Sequence, residues 1–185
     1  MNNIPNILTI SRIILTFLVA ILFLCDIEWL QWSAFGIFVL IAISDYVDGY
    51  LAHHRQWQSA LGRCLDPIAD KILVIIGLFM LTTSGTISGY ASFGAMIIVM
   101  REVLISGLRE YLVDSGIRMA VSPLAKWKTV FQLMSIGCLM VTELITIPQV
   151  FWLSAIILWI AVVLTIITGW WYVKAGIKQY INHQS

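Results

Sequence analysis

Six runs of mostly apolar residues constrain this chain more than any other feature. They fall at roughly 7–25, 30–52, 66–84, 89–112, 127–147 and 150–173, and a membrane-spanning helix needs about 20 such residues. The breaks between them, "CDIEW", "HHRQWQS", "TSGTISGY", "VDSGIRMAVSP" and "TIPQ", carry the polar and turn-forming chemistry. The pattern predicts an all-α integral membrane protein with six transmembrane helices. Only 11% of the 185 residues are charged, against about 25% in a soluble domain, and the mean hydropathy is +0.92. No repeat, linker or low-complexity segment divides the chain, so 1–185 reads as a single membrane domain. The start, "MNNIPNILTISR", has no charged n-region and no small-residue cleavage site follows it, which predicts a retained first helix. A net charge of +1 with no basic arm points to no nucleic acid. Cys25, Cys64 and Cys138 are scattered and odd in number, so neither a disulfide framework nor a metal set is expected.

Lysine and arginine orient such a chain, because they stay on the cytoplasmic side. Arg12 lies near the start, Arg55, Arg63 and Lys71 surround the second break, and Arg109, Arg118, Lys126 and Lys128 flank the fourth, with Arg101 in the nearer half of the fourth run. Lys174 and Lys178 close the chain. The other three breaks hold Asp26, Glu28 and Glu143 and no basic residue. Both termini are therefore expected on the cytoplasmic side, together with the second and fourth breaks.

The second break raises a question of cost. Asp45, Asp48, Asp66 and Asp70 are four of only ten acidic residues, and they flank "FGIFVLIAI" and "ILVIIGLFML". Carboxylates beside such segments are expensive without a partner or a task. On a helix turning 100° per residue, Asp45 and Asp48 lie about 60° apart, with Gly49 and Ala52 on the same side. Asp66 and Asp70 are one turn apart, and Gly62 extends their stripe if the helix begins early enough. Like charges so placed repel, and hard divalent cations, which bind carboxylates together with phosphate oxygens, relieve that repulsion. Two such ions can clamp the attacking and leaving oxygens of a phosphoryl transfer. Each aspartate also has a plainer reading. Asp66 before Pro67 fits a helix N-cap with proline at the first helical position, and Asp45 and Asp48 fit interfacial charges at a helix end.

Taken together, Asp45, Asp48, Gly49, Ala52, Gly62, Asp66 and Asp70 match the pattern D-x2-D-G-x2-A-R-x8-G-x3-D-x3-D at every spacing. That pattern resembles the CDP-alcohol phosphatidyltransferases. One position departs: His53 stands where the family has arginine. The resemblance implies a membrane enzyme that moves a phosphatidyl group from CDP-diacylglycerol to an alcohol and releases CMP. It further implies two Mg²⁺ or Mn²⁺ ions held by Asp45, Asp48, Asp66 and Asp70, with Asp70 also the general base. Gly49, Ala52, His53 and Gly62 are implied at the donor, and a homodimer in the bacterial cytoplasmic (inner) membrane, multi-pass, with its site facing the cytoplasm.

The acceptor is suggested by a second set of residues. Arg101 and Arg109 fall at i and i+8 in "MREVLISGLREYL", and Lys126 and Lys128 follow in "PLAKWKT". Such a cationic cluster suits an acceptor that is itself a phosphate, although the lysines also fit a purely topological role and Arg101 also fits a partner to Glu102. "NIPNILTISR", "REVLISGLRE" and "KWKT" resemble the family members whose acceptor is sn-glycerol 3-phosphate. The alternative within the family is a cardiolipin synthase, whose acceptor is phosphatidylglycerol. Outside it, a small carboxylate-site transporter is the competing class. Its signatures are inverted repeats and broken midplane helices, whereas this sequence shows no internal repeat and its carboxylates fall near the cytoplasmic interface and not at the midplane.

Overall fold

The computed structural model describes residues 4–52, 60–116, 123–145 and 147–184, and all their regular structure is helical. Six helices follow in order: α1 Ile4–Leu24, α2 Glu28–Ala52, α3 Ala60–Thr83, α4 Tyr90–Asp114, α5 Pro123–Leu144 and α6 Pro148–Gln184. Proline opens both α5 and α6, where its missing N–H is one of the unpaired donors of a helix start in any case. α4 stops at Gly116, whose φ of 79° suits a residue without a side chain, and the amides of Ser115 and Gly116 bond back to the carbonyls of Tyr111 and Val113.

The helix bounds shift by a few residues from the expected runs, and two of them shift most. α3 begins at Ala60 and not near Asp66, so Pro67 sits inside the helix and the capping alternative for Asp66 falls. The residues "ALGRCL" are helix formers apart from one glycine, and a proline near a helix start forfeits one backbone bond. α6 runs 37 residues, about 55 Å at 1.5 Å per residue, well past the expected end at 173.

The packing makes two groups of three. α1 lies against both α2 and α3, while α6 lies against both α4 and α5; contacts of α5 with α2 and α3, and of α4 with α3, join the groups. Phe23, Phe38, Leu78, Leu81, Ile136, Met140 and Leu158 fill the shared core. Glycine lets α4 and α6 approach closely: a Cβ on Gly94 would lie 3.1 Å from Val162, and one on Gly169 would lie 3.2 Å from Arg101 Cγ. Small residues serve this purpose between helices that lipid surrounds.

Polarity is arranged inside out. Thr9, Arg12, Thr16, Glu102, Lys128, Gln132, Thr165 and Thr168 are buried, whereas Ile14, Ile21, Phe79, Phe93, Trp152 and Trp171 are exposed. A surface of that kind belongs in lipid, where each polar group must find a partner inside the bundle. Among the described residues α4 and the Pro148–Tyr180 part of α6 are long and apolar enough to cross a membrane; Thr9–Leu24 and Glu28–Ser44 are apolar but shorter.

Candidate active site

The first half of the site is built by α1 on α3. Thr9, Arg12 and Thr16 fall at i, i+3 and i+7, one face of α1, and all three are buried. Across the contact, Asp66 and Asp70 stand one turn apart on α3. The Thr9 hydroxyl donates to Asp66 Oδ1 at 2.5 Å, and Arg12 Nη1 donates to Asp70 Oδ1 at 3.3 Å. Thr16 donates to the Arg12 carbonyl at 2.8 Å. The side chain of Asp70 remains 44% exposed despite its ion pair, so this carboxylate is both held and reachable.

Because α3 begins at Ala60, the backbone of Gly62 does continue the stripe of Asp66 and Asp70. Asp45, Asp48, Gly49 and Ala52 occupy the last turns of α2, and the side chains of Asp45, Asp48 and Ala52 lie outside the described set. His53 lies outside the described residues altogether. Only positions 53–59 separate the end of α2 from the start of α3, and both helices pack on α1. The four aspartates accordingly belong to one end of the bundle.

The second half is a buried polar network between α4, α5 and α6. Oε1 of Glu102 accepts from Lys128 Nζ, from Arg101 Nη1 at 3.4 Å and from Gln132 Nε2 at 3.3 Å. Gln132 also donates to Thr165 at 3.1 Å, and Arg101 Nη2 donates to Thr168 at 3.2 Å. The Arg101 guanidinium lies 5.9 Å from the ring centre of Tyr172, close enough for a cation–π contact. Arg101 Nε and Gln132 Oε1 have no hydrogen-bond partner among the described residues. Among the described residues two cations thus share one carboxylate, leaving one positive charge over. Lys71, next to Asp70, donates to Ser106 of α4 and links this half to the first.

The four cations expected at an acceptor phosphate divide into two kinds. Arg101 and Lys128 are turned inward onto Glu102. Arg109 and Lys126 are exposed, and Lys126 stands at one end of an apolar groove of about 830 Å³ between α2 and α5, lined by Phe38, Ile43, Trp127 and Met134 among others.

Sequence reasoning missed Thr9, the local task of Arg12, and the Glu102–Gln132 hub. Signals for them exist. Thr9, Arg12 and Thr16 form a polar stripe at helical spacing in an otherwise apolar run, and Lys128 and Gln132 are an i, i+4 pair on α5. Polar groups at helical spacing in lipid point to a partner helix.

The site can be set beside known proteins. The family model for CDP-alcohol phosphatidyltransferase matches residues 2–167. Relatives named CDP-diacylglycerol–glycerol-3-phosphate 3-phosphatidyltransferase include one from Rickettsia bellii, 37% identical over 96% of this chain and 97% of its own length. Another, from Cereibacter sphaeroides, is 33% identical over 95% of this chain and 96% of its own. The Escherichia coli K12 protein of that name is 36% identical over 75% of this chain and 76% of its own. With the aspartate pattern complete in its sequence apart from His53, and with near full-length relatives, this chain belongs to the CDP-alcohol phosphatidyltransferase family.

Proposed function

We infer that this chain transfers the phosphatidyl group of CDP-diacylglycerol to sn-glycerol 3-phosphate, giving phosphatidylglycerophosphate and CMP in phospholipid biosynthesis. The observation that carries the reading is the match, over almost the whole length of both chains, to relatives named for that reaction. Their names favour glycerol 3-phosphate over phosphatidylglycerol as acceptor.

The residues suit two divalent ions, Mg²⁺ or Mn²⁺. Asp66 and Asp70 offer hard carboxylate oxygens one turn apart, already oriented by donors from α1, and Asp45 and Asp48 supply two more from α2. When bound, such ions offset the charge of the donor diphosphate and favour CMP as leaving group. Asp70, half-exposed and held by Arg12, takes the proton of the acceptor hydroxyl. The hydroxyl oxygen bonds to the phosphatidyl phosphorus as the bond from that phosphorus to the CMP oxygen breaks. Gly49, Ala52 and Gly62 let the cytidine diphosphate lie close to the backbone, and His53 donates a hydrogen bond to it in place of the motif arginine.

Arg101, Arg109, Lys126 and Lys128 receive the acceptor phosphate. The surplus charge left beside Glu102 supports this role, as does the exposure of Arg109 and Lys126 on the same pair of helices. The chain crosses the bacterial inner membrane six times with both termini and the site facing the cytoplasm. Segregation of all eleven basic residues with one set of breaks supports that orientation. By analogy with the family it works as a homodimer among membrane lipids.

The test is CMP release by the purified protein from CDP-diacylglycerol with sn-glycerol 3-phosphate. Activity is expected with that acceptor, lost in EDTA and restored by Mg²⁺ or Mn²⁺. Release with phosphatidylglycerol alone overturns the acceptor, and full activity after exhaustive chelation overturns the metals.

A further inference from the structure

Nothing in the aspartate pattern involves α1, yet α1 supplies a donor to both described aspartates. The spacing is matched: three residues apart on α1, four on α3, each contact on Oδ1. Thr9 is buried, and its 2.5 Å hydrogen bond to Asp66 joins positions 57 residues apart in sequence. A carboxylate has two oxygens and about four lone-pair sites. One donor on Oδ1 therefore fixes the plane of the group and still leaves capacity for a cation. Orientation matters here because Mg²⁺ demands near-ideal octahedral geometry at about 2.0–2.1 Å. An aspartate free to rotate would have to be ordered each time the ion binds.

We propose that Thr9 of α1 is a positioning residue for the divalent-metal site, holding the Asp66 carboxylate in the orientation that binds the ion. The proposal rests on the metal reading given above. Thr9 tests it better than Arg12 does, because removing a neutral hydroxyl changes orientation without changing charge. Valine keeps the shape of threonine and loses the donor; serine keeps the donor. Thr16, two turns further along the same buried face, bonds only its own helix in the contacts described and supplies the packing control.

The experiment is titration of Mn²⁺ alone into the purified protein in nanodiscs, with free Mn²⁺ followed by electron paramagnetic resonance. Loss of an outer-shell partner typically costs about 10–100-fold in metal affinity, and that loss is expected for Thr9→Val. Thr9→Ser is expected close to wild type, and so is Thr16→Val. If Thr9→Val does not fold, Thr9→Ala against Thr9→Ser reads the same contrast. Wild-type affinity in the variant lacking the hydroxyl overturns the positioning role and leaves the metal reading intact. An equal loss in Thr16→Val overturns it too, since packing of α1 then explains the effect. A wild-type protein that binds no Mn²⁺ overturns the metal reading and this inference with it.

Discussion

The two halves of the bundle treat their charges in opposite ways. In α1–α3 the carboxylates of Asp66 and Asp70 accept from donors on α1, and Asp70 keeps 44% of its side chain exposed. In α4–α6 the charges are turned inward: Lys128 is 4% exposed and Gln132 1%, both bonded to the single carboxylate of Glu102. One half holds its ionic groups ready for something from outside; the other has largely neutralised them in place. The difference separates binding chemistry from scaffolding. An exposed carboxylate that is oriented but not enclosed can take a cation or a proton. A buried cluster of two cations on one carboxylate costs too much to leave half made, so it holds three helices in register. On the function proposed above, its surplus charge is what it offers the acceptor phosphate.

The largest effect falls on the open half. Asp70→Asn keeps the shape of the side chain and removes the proposed base, so turnover should fall about 10²–10⁴-fold while CDP-diacylglycerol still binds. Thermal unfolding in detergent should move little, because the ion pair with Arg12 is partly exposed. A variant that turns over near the wild-type rate shows that another group accepts the proton.

The enclosed half should answer the other way. Glu102→Ala strands Lys128 and Arg101 in the bundle without their carboxylate, and breaking a buried ion pair costs about 3–5 kcal/mol. Unfolding should therefore shift far more in Glu102→Ala than in Asp70→Asn. If both unfold like wild type, the network between α4, α5 and α6 is not what holds them, and the contrast between the halves collapses.

The same contrast governs what could be read from the sequence. The helices were legible because each long apolar run must become one, and the aspartates because their spacing is specific. The early start of α3 was not. "ALGRCLDP" reads as the approach to a capped helix, yet the helix already runs through it and past Pro67, because a proline near a helix start forfeits only one backbone bond. Arg12 was legible as a topological charge but not as the partner of Asp70, 58 residues away, since no local pattern encodes a distant pairing. Glu102 drew attention only as a neighbour of Arg101. That Lys128 and Gln132 converge on its one oxygen follows from how α5 is rotated against α4, which a run of apolar residues does not specify.

A smaller effect sharpens the division among the cations. Lys126 is exposed and Lys128 buried, although both stand on the first turns of α5. Lys126→Ala should raise the KM for glycerol 3-phosphate well above any change in the KM for CDP-diacylglycerol, with stability altered by no more than about 0.5 kcal/mol, as for most surface changes. Lys128→Ala should instead destabilise the protein, because it leaves Glu102 short of its closest donor. Equal losses for both substrates in Lys126→Ala would assign that lysine a structural role at the apolar groove it lines.

The smallest effect isolates position from charge. A Cβ on Gly169 would stand 3.2 Å from Cγ and 3.6 Å from Nε of Arg101, so Gly169→Ala must displace that side chain by a few tenths of an ångström. Arg101 is long and can give way, and alanine in a helix interior is favoured over glycine by about 1 kcal/mol. Stability should consequently stay level or rise slightly. The guanidinium, however, is held between Glu102, Thr168 and the Tyr172 ring, and a shift at Cγ is passed on to it. If the inward-turned arginine still serves the acceptor phosphate, a loss of about 1 kcal/mol there raises the KM for glycerol 3-phosphate about fivefold, with the donor KM unchanged. Gly107 on α4 has nothing within 4 Å of its Cβ position, so Gly107→Ala is the matched control and should leave both KM values alone. An unchanged acceptor KM in Gly169→Ala would place Arg101 with Glu102 and Gln132 in the scaffold and leave the phosphate to the exposed pair, Arg109 and Lys126.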